Sequence, residues 1–236
     1  MEHTVSAYDD DLKAIARRVT EAGGLAERAV ASSISALTRL DIGLAQQVIA
    51  DDKLLDNLQR DIEEKTILII ARRQPMAVDL REIVAAMRIA NDVERIGDLG
   101  KNIAKRVVAI NDVFPNKQLL TGLEHMAEIA LQQLKAVLDA YAAHDDHAAY
   151  AVRQRDDEID ALYTSLFREL LTYMMEDPRN ITFCIHLLFC AKNIERIGDH
   201  ATNIAETVHY MVTGLTYGDE RPKADRSIVA ADEAGS

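Results

Sequence analysis

The chain has 236 residues and a mass of 26.2 kDa, room for one or two domains, and a hydrophobic share of 48% is ample for a core. Its 27 Lys and Arg stand against 39 Asp and Glu, a net charge of −12. That balance excludes a general nucleic-acid binder, which needs a basic surface to replace phosphate counterions, and weighs against docking on anionic lipid by charge. With 5% aromatics, no Trp, 4 Pro and 10 Gly, the interior is expected to be Ala-, Leu- and Ile-rich and helical, so the fold class is all-α.

The N-terminus has neither the basic nor the apolar region of a signal peptide. The longest apolar stretch, Ile181 to Ala191, is broken by Thr182 and His186 and is too short to cross a bilayer. A soluble, cytoplasmic protein with no direct membrane insertion is expected. Cys184 and Cys190 have neither CxxC nor zinc-knuckle spacing and are expected to be buried thiols, and His186 a hydrogen-bonded core histidine.

In chain order, apolar residues recur at helical spacing from Val5 to about Leu40, with Gly23-Gly24 marking a kink or loosened turn. A second helix runs from Leu44 to about Gln74, closed by Arg72-Arg73 and stopped by Pro75, and a third from Asp79 to about Ile110. Residues 111–116, Asn-Asp-Val-Phe-Pro-Asn, form the longest break in the pattern. The plan then repeats: Leu119 to about Tyr141, one long helix from Ala148 to Met175, and a last helix after Pro178 to about Val212. The expected architecture is two tandem three-helix bundles related by internal duplication, residues 1–114 and 115–215, with 216–236 a disordered acidic tail.

The duplication is clearest in the third helix of each half. Asn91-Asp-Val-Glu-Arg-Ile-Gly-Asp98 returns as Lys192-Asn-Ile-Glu-Arg-Ile-Gly-Asp199 at an offset of 101 residues, with Asn102 and Asn203 in the same register. Glu94/Asp98 and Glu195/Asp199 are i, i+4 pairs, one turn apart on one helix face, and they continue an arc that is apolar a few turns earlier. The second helices add Asp52/Asp56 and Asp156/Asp160 in matching core-like positions at an offset of 104. Carboxylates so placed repel unless a cation or proton compensates them, and adjacent antiparallel helices bring them onto one hard or borderline metal ion. The plainer reading is ordinary salt bridging to Arg88, Arg95, Lys101 or Lys105. Neither octamer has the Glu-x-x-His spacing of a di-iron bundle, and the chain lacks a Gly-rich phosphate loop, G-x-S-x-G, H-E-x-x-H or an EF-hand loop.

Arg73-Gln-Pro-Met-Ala-Val-Asp-Leu-Arg81, the run Arg88 to Ala104 and its echo Asn193 to Ala205 closely resemble the bacterial PhoU family of phosphate-signalling regulators, over about residues 5 to 213. The resemblance implies a cytoplasmic, usually dimeric pair of three-helix bundles. It also implies a negative regulator of the phosphate-starvation response that links a phosphate ABC transporter, through its ATPase, to a sensor histidine kinase and maintains phosphate homeostasis. The family's E(D)-x-x-x-D metal motif falls on Glu94/Asp98 and Glu195/Asp199, with Asp52/Asp56 and Asp156/Asp160 as the matching acids. The implied cofactor is a divalent or trivalent ion: iron, Mg, Mn, Zn or Ca. Thr182-Phe183-Cys184 and His186 depart from the family's small and aliphatic residues, and the second half lacks the Arg-Gln-Pro run. Two other functions compete on the same residues, a metal-dependent hydrolase or oxidase and a metal-free helical scaffold.

Overall fold

The structure, a computed structural model, describes residues 2–110 and 117–218, with side chains defined over 8–110 and 119–218. The helices are α1 (Glu2–Arg39), α2 (Ile42–Arg73), α3 (Val78–Ala109), α4 (Lys117–Ala143), α5 (Asp146–Arg153), α6 (Asp156–Glu176) and α7 (Ile181–Thr213), and a 3-10 turn at Pro178–Asn180 precedes α7. Among the described residues there is no strand, as an all-α fold requires. The expected boundary at 114/115, and the tail beyond Gly218, lie outside the described residues.

The duplication extends to the turns and the core. Leu40 and His144 both adopt φ 52°, and Asp41 and Asp145 then cap α2 and α5 by accepting from the Leu44 and Ala148 amides at 2.9 and 3.0 Å. The buried stripe Ile15, Val19, Ala22, Ala26, Val30 and Leu37 of α1 recurs in α4 as Leu119, Leu123, Met126, Ala130, Leu134 and Tyr141. In α7, Cys184 and Cys190 occupy the core places that Ile83 and Ile89 fill in α3, and both are free, buried thiols. Burial pushes the Cys190 thiol up to about 12, so it serves as a small apolar side chain.

The helices α1, α3, α7 and α4 close a four-membered ring, each packed on the next, with α2 laid against α1 and α3 and the α5–α6 pair against α4 and α7. The α3–α7 seam is antiparallel: Arg106 lies over the Phe189 ring at one end and Arg88 over Tyr210 at the other. Between them His200 Nδ1 meets an Asp92 carboxylate oxygen at 2.8 Å, and the Asn203 amide donates to the same oxygen at 3.4 Å.

As expected, α1 is one helix through Gly23-Gly24; a Cβ on Gly23 would come within 2.6 Å of Leu138, so this glycine admits α4 against α1. One expectation is corrected. The helix expected from Ala148 to Met175 breaks at Gln154-Arg155. No Pro or Gly announces the break; the buried Gln133 amide donates at 2.9 Å to the Arg155 carbonyl, which also accepts from the Glu158 amide at 3.2 Å at the start of α6.

At Gly100 α3 meets the backbone of α1, where a Cβ would lie 3.2 Å from Ala29 and Val30. Backbone cannot rotate aside, so Gly100→Ala is expected to cost about 1–3 kcal/mol of stability. Gly24→Ala meets only the Arg28 guanidinium at 3.5 Å and is expected to gain about 0.5–1 kcal/mol through helix propensity. Urea unfolding of both variants checks the opposite signs.

Candidate functional site

The repeated octamers carry their acids to the groove between the second and third helices of each half. A large apolar side chain on the second helix seats itself on the octamer glycine, because a Cβ on Gly97 would lie 2.2 Å from Leu55 Cδ2 and one on Gly198 2.6 Å from Ile159 Cδ1. With Leu55 and Ile159 inserted there, the flanking Asp52/Asp56 and Asp156/Asp160 are held beside Glu94/Asp98 and Glu195/Asp199. The eight expected residues therefore gather as two groups of four.

In the first group the Lys101 ammonium donates to Asp52 Oδ2 and Asp98 Oδ1, each at 2.5 Å, and so ties α2 to α3. Asp52 is the more enclosed of the two carboxylates, its side chain 9% exposed. Burial lowers the Lys101 proton affinity, but the bonds to Asp52 and Asp98 outweigh it and hold the group charged. The Arg95 guanidinium lies 3.5 Å from Glu94 and 3.6 Å from Asp98. Burial, then Asp98, raise the Glu94 carboxyl above its usual range, Arg95 opposes them, and Asp56 and Asp52 add to the rise.

The second group is arranged differently. Thr202 stands where the first half has Lys101, and its hydroxyl donates to Asp156 Oδ1 at 2.7 Å. Lys192 reaches Glu195 Oε1 at 2.7 Å, while Glu195 Oε2 is buried with no hydrogen-bond partner. Asp160 is pushed up to about 6, first by burial and then by Glu195, Asp156 and Asp199, with Lys192 opposing. The first group thus has an internal cation between its acids, and the second has a neutral hydroxyl in that place.

A pH dependence follows. The Asp160 carboxyl binds its proton more tightly folded than unfolded, so its stabilisation is complete below the ordinary value of 3.8 and is lost as pH rises through about 6. In chelator, the melting temperature of the wild type relative to Asp160→Asn is expected to fall across that window and level off above it. A constant difference would contradict the assignment.

Among the described residues, no three or more His, Cys, Asp or Glu side chains are arranged to hold a metal ion. The oxygen-only donors suit hard cations in both halves, but the fit is unequal. Lys101 competes for Asp52 and Asp98, whereas the orphaned Glu195 oxygen has a lone pair to give. The salt-bridge reading holds in part, since Arg95 and Lys101 do pair with these acids. His186 departs from expectation: its Nδ1 is buried without a hydrogen-bond partner, and burial and then Arg106 lower its pKa. The Asp92–His200 link at the seam was not signalled by periodicity, although the Asn203 register pointed to the same place.

A helical bundle with two such grooves has close counterparts. The family model described as PhoU domain matches residues 19–107 and again 123–208. The chain is 63% identical over 223 residues to the Rhizobium meliloti (strain 1021) phosphate-specific transport system accessory protein PhoU homolog, covering 94% of each chain. It is 51% identical to the homolog of that name from Caulobacter vibrioides (strain NA1000 / CB15N), covering 95% of this chain and 97% of that one. The crystal structure of PhoU from Pseudomonas aeruginosa superposes with a TM-score of 0.85 at 37% identity, over 88% of this chain and all of that one. The phosphate transport system regulatory protein PhoU from Streptococcus pneumoniae does so with a TM-score of 0.82 at 26% identity, over 89% and 99%. Matched in both halves, and along nearly its whole length by these relatives, the chain belongs to the PhoU family.

Proposed function

We propose that this chain is a cytoplasmic, homodimeric negative regulator of the phosphate-starvation response. It couples the ATPase of a phosphate ABC transporter to a sensor histidine kinase and restrains the kinase when phosphate is ample. The observation that supports this most is the end-to-end likeness to proteins named as accessory to phosphate-specific transport. No helix among the described residues is long and apolar enough to cross a membrane, so association with a transporter runs through protein contact or through residues outside that set. The role is regulatory and not enzymatic.

The carboxylate groups serve this role as cation sites that lock the second helix to the third. Asp156, Asp160, Glu195 and Asp199 take up an ion first, because Glu195 Oε2 is buried among them with no hydrogen-bond partner. Asp52, Asp56, Glu94 and Asp98 take one up only in competition with Lys101. An ion there supplies positive charge to the folded state alone and so stabilises it.

Affinity capture from phosphate-replete and phosphate-starved cells tests the regulatory reading. The transporter ATPase and the kinase are expected to co-purify with the chain in replete cells. Their absence under both conditions would contradict it.

A further inference from the structure

Behind the second group of acids, a buried amide points at the same glycine that Ile159 covers. Gln133 on α4 is 0% exposed. Its Nε2 donates to the Arg155 carbonyl at 2.9 Å, and because a carbonyl only accepts, the amide cannot be turned over without losing that bond. Oε1 therefore faces away from Arg155 and towards α7, where it lies 3.6 Å from the place that a Cβ on Gly198 would take. There it has no hydrogen-bond partner. Leaving a buried amide oxygen without a donor is costly, so its position calls for a reason.

The first half shows what space Gln133 enters. At the offset of 104 residues its counterpart is Ala29, and beside that short side chain lies a cavity of about 180 Å3 whose walls include Val48, Asp51, Asp52, Leu55 and Gly97. Two of those walls, Asp51 and Gly97, correspond to Arg155 and Gly198, the residues that the Gln133 amide reaches. A third, Asp52, corresponds to Asp156. In the second half the amide thus enters the space that, in the first, opens onto the inner acid of the groove.

The two halves surround their acids with opposite chemistry. Where the first has an ammonium, Lys101, on Asp52, the second has the Thr202 hydroxyl on Asp156. It then adds acceptors instead of donors: Gln133 Oε1 and Glu195 Oε2 are both buried and both without a partner, and Glu195 lies one helical turn before Gly198 on α7. A hydroxyl satisfies one such oxygen, whereas a cation satisfies several at once. An amide oxygen is an ordinary ligand of hard cations, and being neutral it adds nothing to the repulsion among four carboxylates. We propose that Gln133 is a ligand of the second-half cation site, its Oε1 reaching the ion from α4 behind Asp156. The site then draws on α4, α6 and α7, and the break between α5 and α6 lies where the amide enters. The proposal rests on the cation sites proposed above and adds a residue outside the repeated acids, one that Ala29 cannot match in the first half.

Titration calorimetry of full-length variants with Mn2+ tests the assignment, with circular dichroism to show that each is folded. Gln133→Met keeps the volume and removes the oxygen together with the amide N–H. Its Mn2+ affinity is expected to fall by about tenfold or more, the least that groups supporting a metal site contribute. Gln133→Glu also loses the N–H to Arg155 but keeps an oxygen and adds charge, so it is expected to bind at least as tightly as the wild type. A residue that served only to pin the helix break would weaken binding equally in both variants, and that result overturns the proposal. Unchanged affinity in Gln133→Met overturns it as well, and leaves a water as the partner of Oε1. Absence of Mn2+ binding by the wild type overturns the cation sites themselves and the proposal with them. If Gln133→Met does not fold, Gln133→Glu decides alone, and weaker binding than the wild type overturns the ligand role.

Discussion

Lys101→Thr, which copies into the first half the residue found at the matching place in the second, is expected to lower the free energy of unfolding by about 2–3 kcal/mol. The ammonium is the cation shared by Asp52 and Asp98, and its removal leaves carboxylates on two helices facing one another at partial burial. Partial exposure, 20% for the lysine side chain, keeps the cost below that of breaking a fully enclosed pair. The loss should be reversible in a specific way. A divalent ion that binds the vacated carboxylates stabilises by RT ln(1 + [L]/Kd), about 2.7 kcal/mol at a hundredfold excess over Kd. Urea unfolding with and without Mn2+ reads both effects, and Lys101→Arg, which keeps the charge, separates lost charge from lost packing.

Arg153→Ala carries the larger expected cost, about 3–5 kcal/mol. The Arg153 side chain is 1% exposed, lies 3.5 Å from a Glu206 carboxylate oxygen and stacks over the Tyr217 ring at 4.4 Å. That ring in turn stacks on His209 at 3.9 Å, and His209 is bonded to Asp146 at the start of α5 at 2.6 Å. One buried guanidinium thus fastens the chain after α7 to the short α5. Its removal opens a cavity, leaves Glu206 without its cation and releases Tyr217. Denaturation followed by circular dichroism measures the stability. Tyrosine emission, unobscured because the chain has no Trp, sums over its 7 tyrosines, so the change that Tyr217→Phe removes is the part owed to Tyr217.

The bundle was legible because its signals are local. The apolar stripe from Ile15 to Leu37 and its copy from Leu119 to Tyr141 need only a helical wheel, and Asp41 and Asp145 announce the turns through their capping chemistry. The break at Gln154-Arg155 was illegible for the opposite reason. Its partner, Gln133, lies on another helix, and a buried glutamine leaves no trace in periodicity. The part Gly23 plays was not legible, because a glycine that admits a neighbouring helix and one that loosens its own helix look alike until Leu138 is placed.

The candidate site divides along the same line. That Asp52, Asp56, Glu94 and Asp98 share a groove follows from stripe arithmetic, as does the matching group in the second half. Which of several basic residues spans the groove does not follow, because it depends on the separation of α2 and α3. That separation is set by Leu55 seating on Gly97. The consequence is functional. The duplication preserved the acids while Lys101 and Thr202 diverged, so two grooves of common ancestry now differ in how their charge is balanced. His186 shows the limit of reading core polarity from sequence, since its Nδ1 is buried without a hydrogen bond where one was expected.

Titration calorimetry of the full chain with Mn2+ tests the inequality of the two grooves most directly, alongside circular dichroism to confirm that each variant is folded. The expected result is binding that Glu195→Gln/Asp199→Asn abolishes, that Glu94→Gln/Asp98→Asn leaves intact, and to which Lys101→Thr adds a second site. Equal losses from the two paired substitutions, or no second site in Lys101→Thr, would contradict it.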